Sequence, residues 1–363
     1  MEKSMILVIN PGSTSTKIAV YKNKNKILEE SIKHSEIDLS TYQRVADQFE
    51  FRRDIVKQVL REQRIDLNEL QAIAARGGLL KPMPGGTYLV TEAMCEELLN
   101  AANEHASNLG ALIGYNLGKE LGIPAYIVDP VVVDEMMPLA KLSGLKGYDR
   151  RSIWHPLNQK AVARKLASLL GKEYQEINCI IAHLGGGVTV GAHQNGKTVD
   201  VNNGLMGEGP YSPERTGGLP NEVLLKMVFE EGKSRSEIEK SLVGQGGCVS
   251  YLNTNDARVA EQMAETDGKA RLIYEGMAYQ ISKEIASLAA VFHGQVDAIA
   301  LTGGMAYSRM MTSWIKERVS FIAPVYLFPG EEEMEALCDG VERVLAGKEE
   351  ARIYGSSWKK EVM

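Results

Sequence analysis

Apolar and polar positions alternate along the chain in short, recognisable blocks. Met5 to Ile9 is a continuous apolar run, cut by Asn10-Pro11-Gly12, and Lys17 to Tyr21 resumes it before the polar turn Lys22 to Lys26. This pattern predicts a β-hairpin closed by a glycine turn. From Tyr42 to Arg64, residues Val45, Phe49, Ile55, Val56, Val59 and Leu60 recur near the helical period, which predicts a helix. Further strand-like runs are Ala72 to Ala75, Ala125 to Val128, Asn178 to Ala182, Ala298 to Leu301 and Pro324 to Phe328. Helical stretches such as Met94 to Leu109 and Tyr274 to Phe292 separate them, and that alternation predicts an α/β fold. On the second of these helices Met277, Ile281, Ile285 and Leu288 share one face, which fits a core better than a subunit interface.

The chain also repeats itself. Residues 6–23 and 179–196 share a strand, glycine turn, strand and polar turn at an offset of 183 − 10 = 173. The first turn reads Asn10-Pro11-Gly12-Ser13-Thr14-Ser15 and the second His183-Leu184-Gly185-Gly186-Gly187-Val188. Duplication implies two similar domains that would set both turns on opposite walls of a cleft, with a hinge near Asp149 to Trp154.

Composition narrows the function. With 363 residues, 44% of them hydrophobic, the chain exceeds one ordinary core, so two domains are expected. A formal net charge of −6 without a basic block removes the footprint of nucleic-acid binding. The Ile6–Ile9 run is too short for a signal-peptide core, and no run reaches the ~18–20 apolar residues of a membrane helix. The expectation is a soluble, cytoplasmic protein with small-molecule partners. Cys95, Cys179, Cys248 and Cys338 lack metal or disulfide spacing and read as reduced, buried thiols.

Three glycine turns carry the candidate chemistry. Glycine lets backbone N–H groups approach phosphate oxygens without a Cβ in the way. Asn10 to Lys17 adds hydroxyls and a lysine, though a plain hairpin turn would look the same. Gly185-Gly186-Gly187 after an apolar strand weakens the backbone unless something must come close, a bulge being the alternative. Leu301-Thr302-Gly303-Gly304-Met305 follows a buried strand and precedes a helix, so its N–H donors could meet a nucleotide. Neither G-x-x-x-x-G-K-[ST] nor a clean G-x-G-x-x-G occurs, which argues against P-loop and dinucleotide folds.

Taken in order, Val8 to Lys17, Ala75-Arg76-Gly77-Gly78, Val128-Asp129-Pro130, Arg151-Ser152-Ile153-Trp154-His155, His183 to Gly187 and Thr302-Gly303-Gly304 resemble the motifs of the acetate and butyrate kinases. Gly207-Glu208-Gly209-Pro210, Glu214 to Pro220 and Pro329 to Met334 resemble the butyrate kinases in particular. The resemblance implies two duplicated α/β domains of the acetate and sugar kinase/Hsp70/actin (ribonuclease H-like) type around a nucleotide cleft. An N-terminal acyl-kinase domain would span 1–152, completed by a C-terminal helix over 335–363, and a nucleotide-binding domain 153–334. The implied activity is reversible transfer of a phosphoryl group between ATP and butyrate, or a branched short-chain acid, giving ADP and an acyl phosphate. Acetate or propionate would be the alternative acids. A non-acyl ATP-dependent binding or regulatory protein of the same superfamily is the other alternative. Mg²⁺ and a homodimer or higher homo-oligomer are also implied.

Site residues follow from the same resemblance. Arg215, His155, Arg76 and Asp129 would be catalytic. Asn10, Ser13, Lys17, His183, Gly185, Gly186, Gly187, Gly303 and Gly304 would bind the nucleotide. Asn10 and Asp129, with Glu331 and Glu332 as further candidates, would attend the metal. Ala75, Trp154 and Met206 would line the acyl pocket. Ala75 stands where acetate kinases carry valine, so a larger pocket and a longer acid are expected. Arg76 stands where they carry histidine, and Gly186 where they carry asparagine.

Overall fold

The computed structural model describes residues 4–101, 104–206 and 208–355, apart from the side chain of Glu36. Among them run β1 (Met5–Pro11), β2 (Ser15–Lys22), β3 (Asn25–Lys33), β4 (Ala72–Ala75), β5 (Thr87–Leu89), β6 (Ala125–Val128), β7 (Cys179–Leu184), β8 (Val188–Gln194), β9 (Lys197–Val201), β10 (Ala298–Gly303), β11 (Val325–Pro329) and β12 (Arg352–Ile353). They form two sheets in two compact units, one of Met1–Asp134 with Glu332–Met363, the other of Glu135–Glu331. The expected divide at 152/153 lies later than the observed one. The residues just after Asp134 are tied to the second unit, where the Glu135 carboxylate takes Lys160 Nζ at 2.7 Å and Met137 N–H donates to the Val199 carbonyl.

The first unit's sheet has the order β12-β5-β6-β4-β1-β2-β3. Strand β1 pairs antiparallel with β2 and parallel with β4, which pairs parallel with β6. Helices cover both faces. Ile73, Ala75 and Ala125 turn toward the helix Asn108–Leu121, where a Cβ on Gly114 would lie 3.3 Å from the Ala75 Cβ. On the other face Val128 packs on Gly340 of the helix Glu333–Leu345. That C-terminal helix ends at Leu345 instead of running on, because the chain turns back to add β12 beside β5. Positions 356–363 of the expected helix lie outside the described residues. The helix expected over Met94 to Leu109 divides into Glu92–Leu99 and Asn108–Leu121. Its first half stops where Arg44 Nη2 donates to the Leu99 carbonyl at 2.7 Å, and Glu104 then accepts from Arg44 Nε and Val45 N–H.

The second unit repeats the plan. Its order is β11-β10-β7-β8-β9, with β7 antiparallel to β8 and parallel to β10. Helix Gly268–Leu288 covers one face of this sheet and buries Met277, Ile281, Ile285 and Leu288, so the apolar stripe is core. Helix Pro156–Leu169 covers the other face through Val162, Ala163 and Leu166. The repeat is not quite in register past its turn. Asn10 pairs with Lys17 across the first hairpin, whereas His183 pairs with Thr189, so the second turn is one residue shorter. All four cysteines are buried and free. Among the described residues no helix is long and apolar enough to cross a membrane.

Candidate active site

Parallel strands deliver the turns that follow them to one end of a sheet, which in α/β folds is where ligands bind. In the first unit β1, β4 and β6 bring Asn10, Arg76 and Asp129 to that end. Arg76 Nη1 meets Glu333 Oε2 at 2.5 Å, and Asn10 Nδ2 donates to the same oxygen at 2.8 Å. Gly110 lets the neighbouring helix approach, since a Cβ there would strike the Arg76 carbonyl. Asp129 is almost wholly buried at a left-handed φ of 38°, with Oδ1 accepting Gly86 N–H at 2.7 Å. A non-glycine residue held there carries strain, a common mark of a functional position.

Of the three consecutive glutamates, Glu333 joins Asn10 and Arg76. Glu332 precedes the helix as its cap residue, and Glu331 belongs to the second unit, 3.1 Å from His183 Nε2. The sequence offers Glu331 and Glu332 as candidates, and nothing in a run of identical residues marks the third. Asn10, Glu333 and Asp129 offer hard oxygen donors, which suit a magnesium ion that keeps water and phosphate oxygens for most of its shell. Among the described residues no group of three or more His, Cys, Asp or Glu converges to enclose a metal.

The turn from Gly12 to Ser15 has an unexpected organiser. Arg52, buried on the apolar face of helix Phe49–Glu62, donates Nη1 to the carbonyls of Gly12 at 2.7 Å and Ser15 at 3.1 Å, and Nη2 to that of Ser13 at 2.9 Å. The Ser13 and Lys17 side chains are exposed. Ala75 lies wholly inside the core, its methyl group on the bare backbone of Gly114. The expected acyl pocket at Ala75 is therefore replaced by core packing, because the even period of β4 turns this position toward a helix.

In the second unit β7, β10 and β11 bring three glycine turns together. Gly303 and Gly330 exchange backbone hydrogen bonds at 3.1 Å, and Gly303 has φ of 87° with no room for a Cβ against Leu184. Gly304 faces open space. Beside them His155 and His183 stack face to face, their ring centroids 3.8 Å apart. His183 Nδ1 meets Asn158 Oδ1 at 2.8 Å, and His155 Nδ1 meets Thr189 Oγ1 at 2.9 Å. The loop from Tyr211 folds Arg215 beneath Gly187, where a Cβ would overlap the guanidinium. Arg215 Nη1 donates to the Gly204 carbonyl, while its buried Nε–H has no acceptor among the described residues. Burial pushes the Arg215 pKa down from its ordinary value, yet an arginine stays charged. A desolvated cation with an unmet donor is a site for an anion.

Trp154 is buried edge-on to His193, whereas Met206 is exposed. Val188, Gly204, Leu205, Pro210 and Arg215 line one small recess. Asn158, Gln159, Thr189 and Ser212 went unnoticed in the sequence, for each has the look of an ordinary helix, strand or loop residue.

A model described as the acetokinase family matches residues 143–321, just under half of the chain. Solved structures extend the likeness to nearly all of it. Acetate kinase of Porphyromonas gingivalis aligns with a TM-score of 0.75 at 18% identity over 94% of this chain and 100% of its own. A propionate kinase from Francisella tularensis gives 0.71 at 20% identity over 93% and 98%, and acetate kinase of Entamoeba histolytica 0.74 at 18% over 93% and 99%. The chain has the two-sheet α/β fold of these solved acetate and propionate kinases.

Proposed function

We propose that the chain is an ATP-dependent kinase of short-chain carboxylic acids that forms an acyl phosphate and ADP, with butyrate or a branched homologue as its acid. The observation that carries this reading is the gathering of His155, His183 and Arg215 around the Gly185–Gly187 turn, within the stretch that the acetokinase model matches. Both reactants are anions. The loose transition state of phosphoryl transfer spreads charge over the equatorial oxygens, so cationic and N–H donors must surround it. Arg215 offers a planar fork to the carboxylate or the transferring group, and His155 a ring N–H to an equatorial oxygen. The backbone N–H groups of Gly186, Gly187 and Gly304 would approach phosphate where glycine leaves access. A carboxylate is already a deprotonated nucleophile, so no general base is required.

Asn10, Glu333 and Asp129 would hold Mg²⁺, which when bound neutralises charge on the phosphate oxygens. In this reading the first unit supplies the metal-binding residues and the second those that meet the nucleotide and the acid, in a cytoplasmic homo-oligomer. Acetate and propionate are the second reading. It is favoured by the burial of Ala75, which withdraws the argument for an enlarged pocket at that position. The test is a hydroxylamine trap for acyl phosphate with Mg-ATP and acids from acetate to hexanoate. Hydroxamate that peaks at four carbons supports butyrate, a peak at two or three carbons supports the second reading, and none with any acid refutes both.

A further inference from the structure

A chain of buried hydrogen bonds runs away from His155, and its polarity can be worked out from one fixed point. Gln159 Nε2 lies 3.1 Å from the backbone carbonyl of Thr189, which can only accept. The amide is therefore oriented with its NH₂ toward Thr189, and the same nitrogen donates to Thr189 Oγ1 at 2.8 Å. Its oxygen then faces His193 Nε2 at 3.1 Å and accepts from it. His193 is wholly buried and, through desolvation first and the charges of Lys160 and Arg164 next, kept neutral. Its Nδ1 is left to accept from Tyr174 OH at 2.7 Å. Back at the other end, Thr189 Oγ1 already accepts from Gln159, and the remaining neighbour for its own proton is His155 Nδ1 at 2.9 Å. A buried hydroxyl proton left without an acceptor costs more than the bond is worth when made. His155 Nδ1 must accept, and the ring proton must sit on Nε2.

We infer that Gln159 and Thr189 are positioning residues that hold His155 as a neutral imidazole with its proton on Nε2. The arrangement is built for this purpose in the strand itself. Gly191 interrupts β8, and a Cβ there would lie 2.6 Å from Gln159 Oε1, so the glycine makes the space the amide occupies. The face-to-face stack on His183 agrees, since two imidazoliums would repel at 3.8 Å. His183 in turn has one nitrogen on Asn158 and the other on Glu331. The two rings thus differ: His183 meets Asn158 and Glu331 at its two nitrogens, whereas Thr189 decides which nitrogen of His155 carries the proton. The role assigned to that donor rests on the phosphate-facing part of His155 proposed above, whereas the tautomer itself does not.

The test is ¹⁵N spectroscopy of the six histidines in the full chain at neutral pH, with His155→Gln identifying the His155 signals. Wild-type protein is expected to show His155 protonated on Nε2 alone. Thr189→Val, which keeps the shape and removes the hydroxyl, is expected to admit the Nδ1–H form and to lower kcat by about tenfold or more, as setting the wrong tautomer does elsewhere, with KM for nucleotide changed less than about twofold. Thr189→Ser should restore the wild-type spectrum. A proton on Nδ1 in the wild type, a charged ring, or an unaltered tautomer in Thr189→Val would overturn the inference. A wild type that forms no hydroxamate would defeat the kinase reading instead, and the wild-type spectrum would still decide the tautomer if a variant failed to fold.

Discussion

Replacing Gly187 by alanine asks whether Arg215 must sit where it does. A Cβ on Gly187 would overlap Arg215 Nη1 and lie 2.5 Å from its Cζ. Non-bonded heavy atoms rest at about 3.5–4.0 Å, so the guanidinium must retreat by at least ~1 Å. That retreat breaks its donation to the Gly204 carbonyl. The fold can yield at this point: the obstructing atoms end a flexible side chain, and Gly187 is not among the glycines at positive φ. Stability should therefore change by less than about 1 kcal/mol. Activity should not be spared, because a misplacement of about 1 Å at the reacting centre costs roughly 100-fold. Arg215→Ala sets the scale for complete loss of the group, at least about 100-fold in kcat/KM. The assay is hydroxamate formation paired with calorimetric Tm. Gly303→Ala is the contrast, because its Cβ would meet the Leu184 backbone at 2.5 Å with φ of 87°, and backbone cannot move aside. It should lower Tm while Gly187→Ala does not. Wild-type kcat/KM in Gly187→Ala would show that the guanidinium position is immaterial. A Tm loss equal to that of Gly303→Ala would show that the turn, not the side chain, gives way.

Glu333→Gln removes the carboxylate shared by Arg76 and Asn10, and is expected to raise the magnesium concentration for half-maximal rate by about tenfold, with Glu332→Gln near wild type; equal effects would return Glu332 to the site. Ala75→Val forces added methyls against Gly114 and should cost about 1–3 kcal/mol in urea unfolding, with equal activity losses on acetate, propionate and butyrate. A loss confined to butyrate would restore Ala75 to an acyl pocket. His34 is buried against Thr16, and desolvation first and Arg52 next push its pKa down to about 4. Above its ordinary value near 6.5 neither state binds the proton; between about 6.5 and 4 the unfolded chain binds it first, so stability should fall as pH falls through that window. Urea midpoints of wild type and His34→Gln measure it, and parallel pH slopes would remove His34 as the cause.

Strands β1, β2, β4, β6, β7, β10 and β11 and the duplication could be read from the sequence because each apolar run is bounded by glycine, proline or a polar turn, whereas β3, β5, β9 and β12 are short or polar and carry no such run. The site was legible only where a residue type is costly without a purpose, as in the three glycines at 185–187. Glu333 was hidden by its neighbours: a slip of two residues along the run of glutamates, to Glu331, moves the carboxylate from one unit to the other, and only the helix start decides it. Ala75 misled for the opposite reason, since a small residue reads equally as pocket or core until the facing Gly114 is known. Arg52 did leave a trace. It lies four and eight residues before Val56 and Leu60, the buried stripe of its helix, where an arginine has no business unless its charge is matched.

That buried arginine has an electrical consequence. A trans peptide points its N–H opposite to the preceding C=O, so carbonyls of Gly12 and Ser13 drawn down to Arg52 aim the amides of Ser13 and Thr14 outward. Those two residues are also the exposed pair of the turn. The first hairpin loop is thus poled like a small capacitor plate, oxygens grounded on an inner cation and hydrogens facing the medium. Dissolved ions cannot reach the inner plate to discharge it, so rising ionic strength erodes its pull far less than that of the exposed Lys17 nearby.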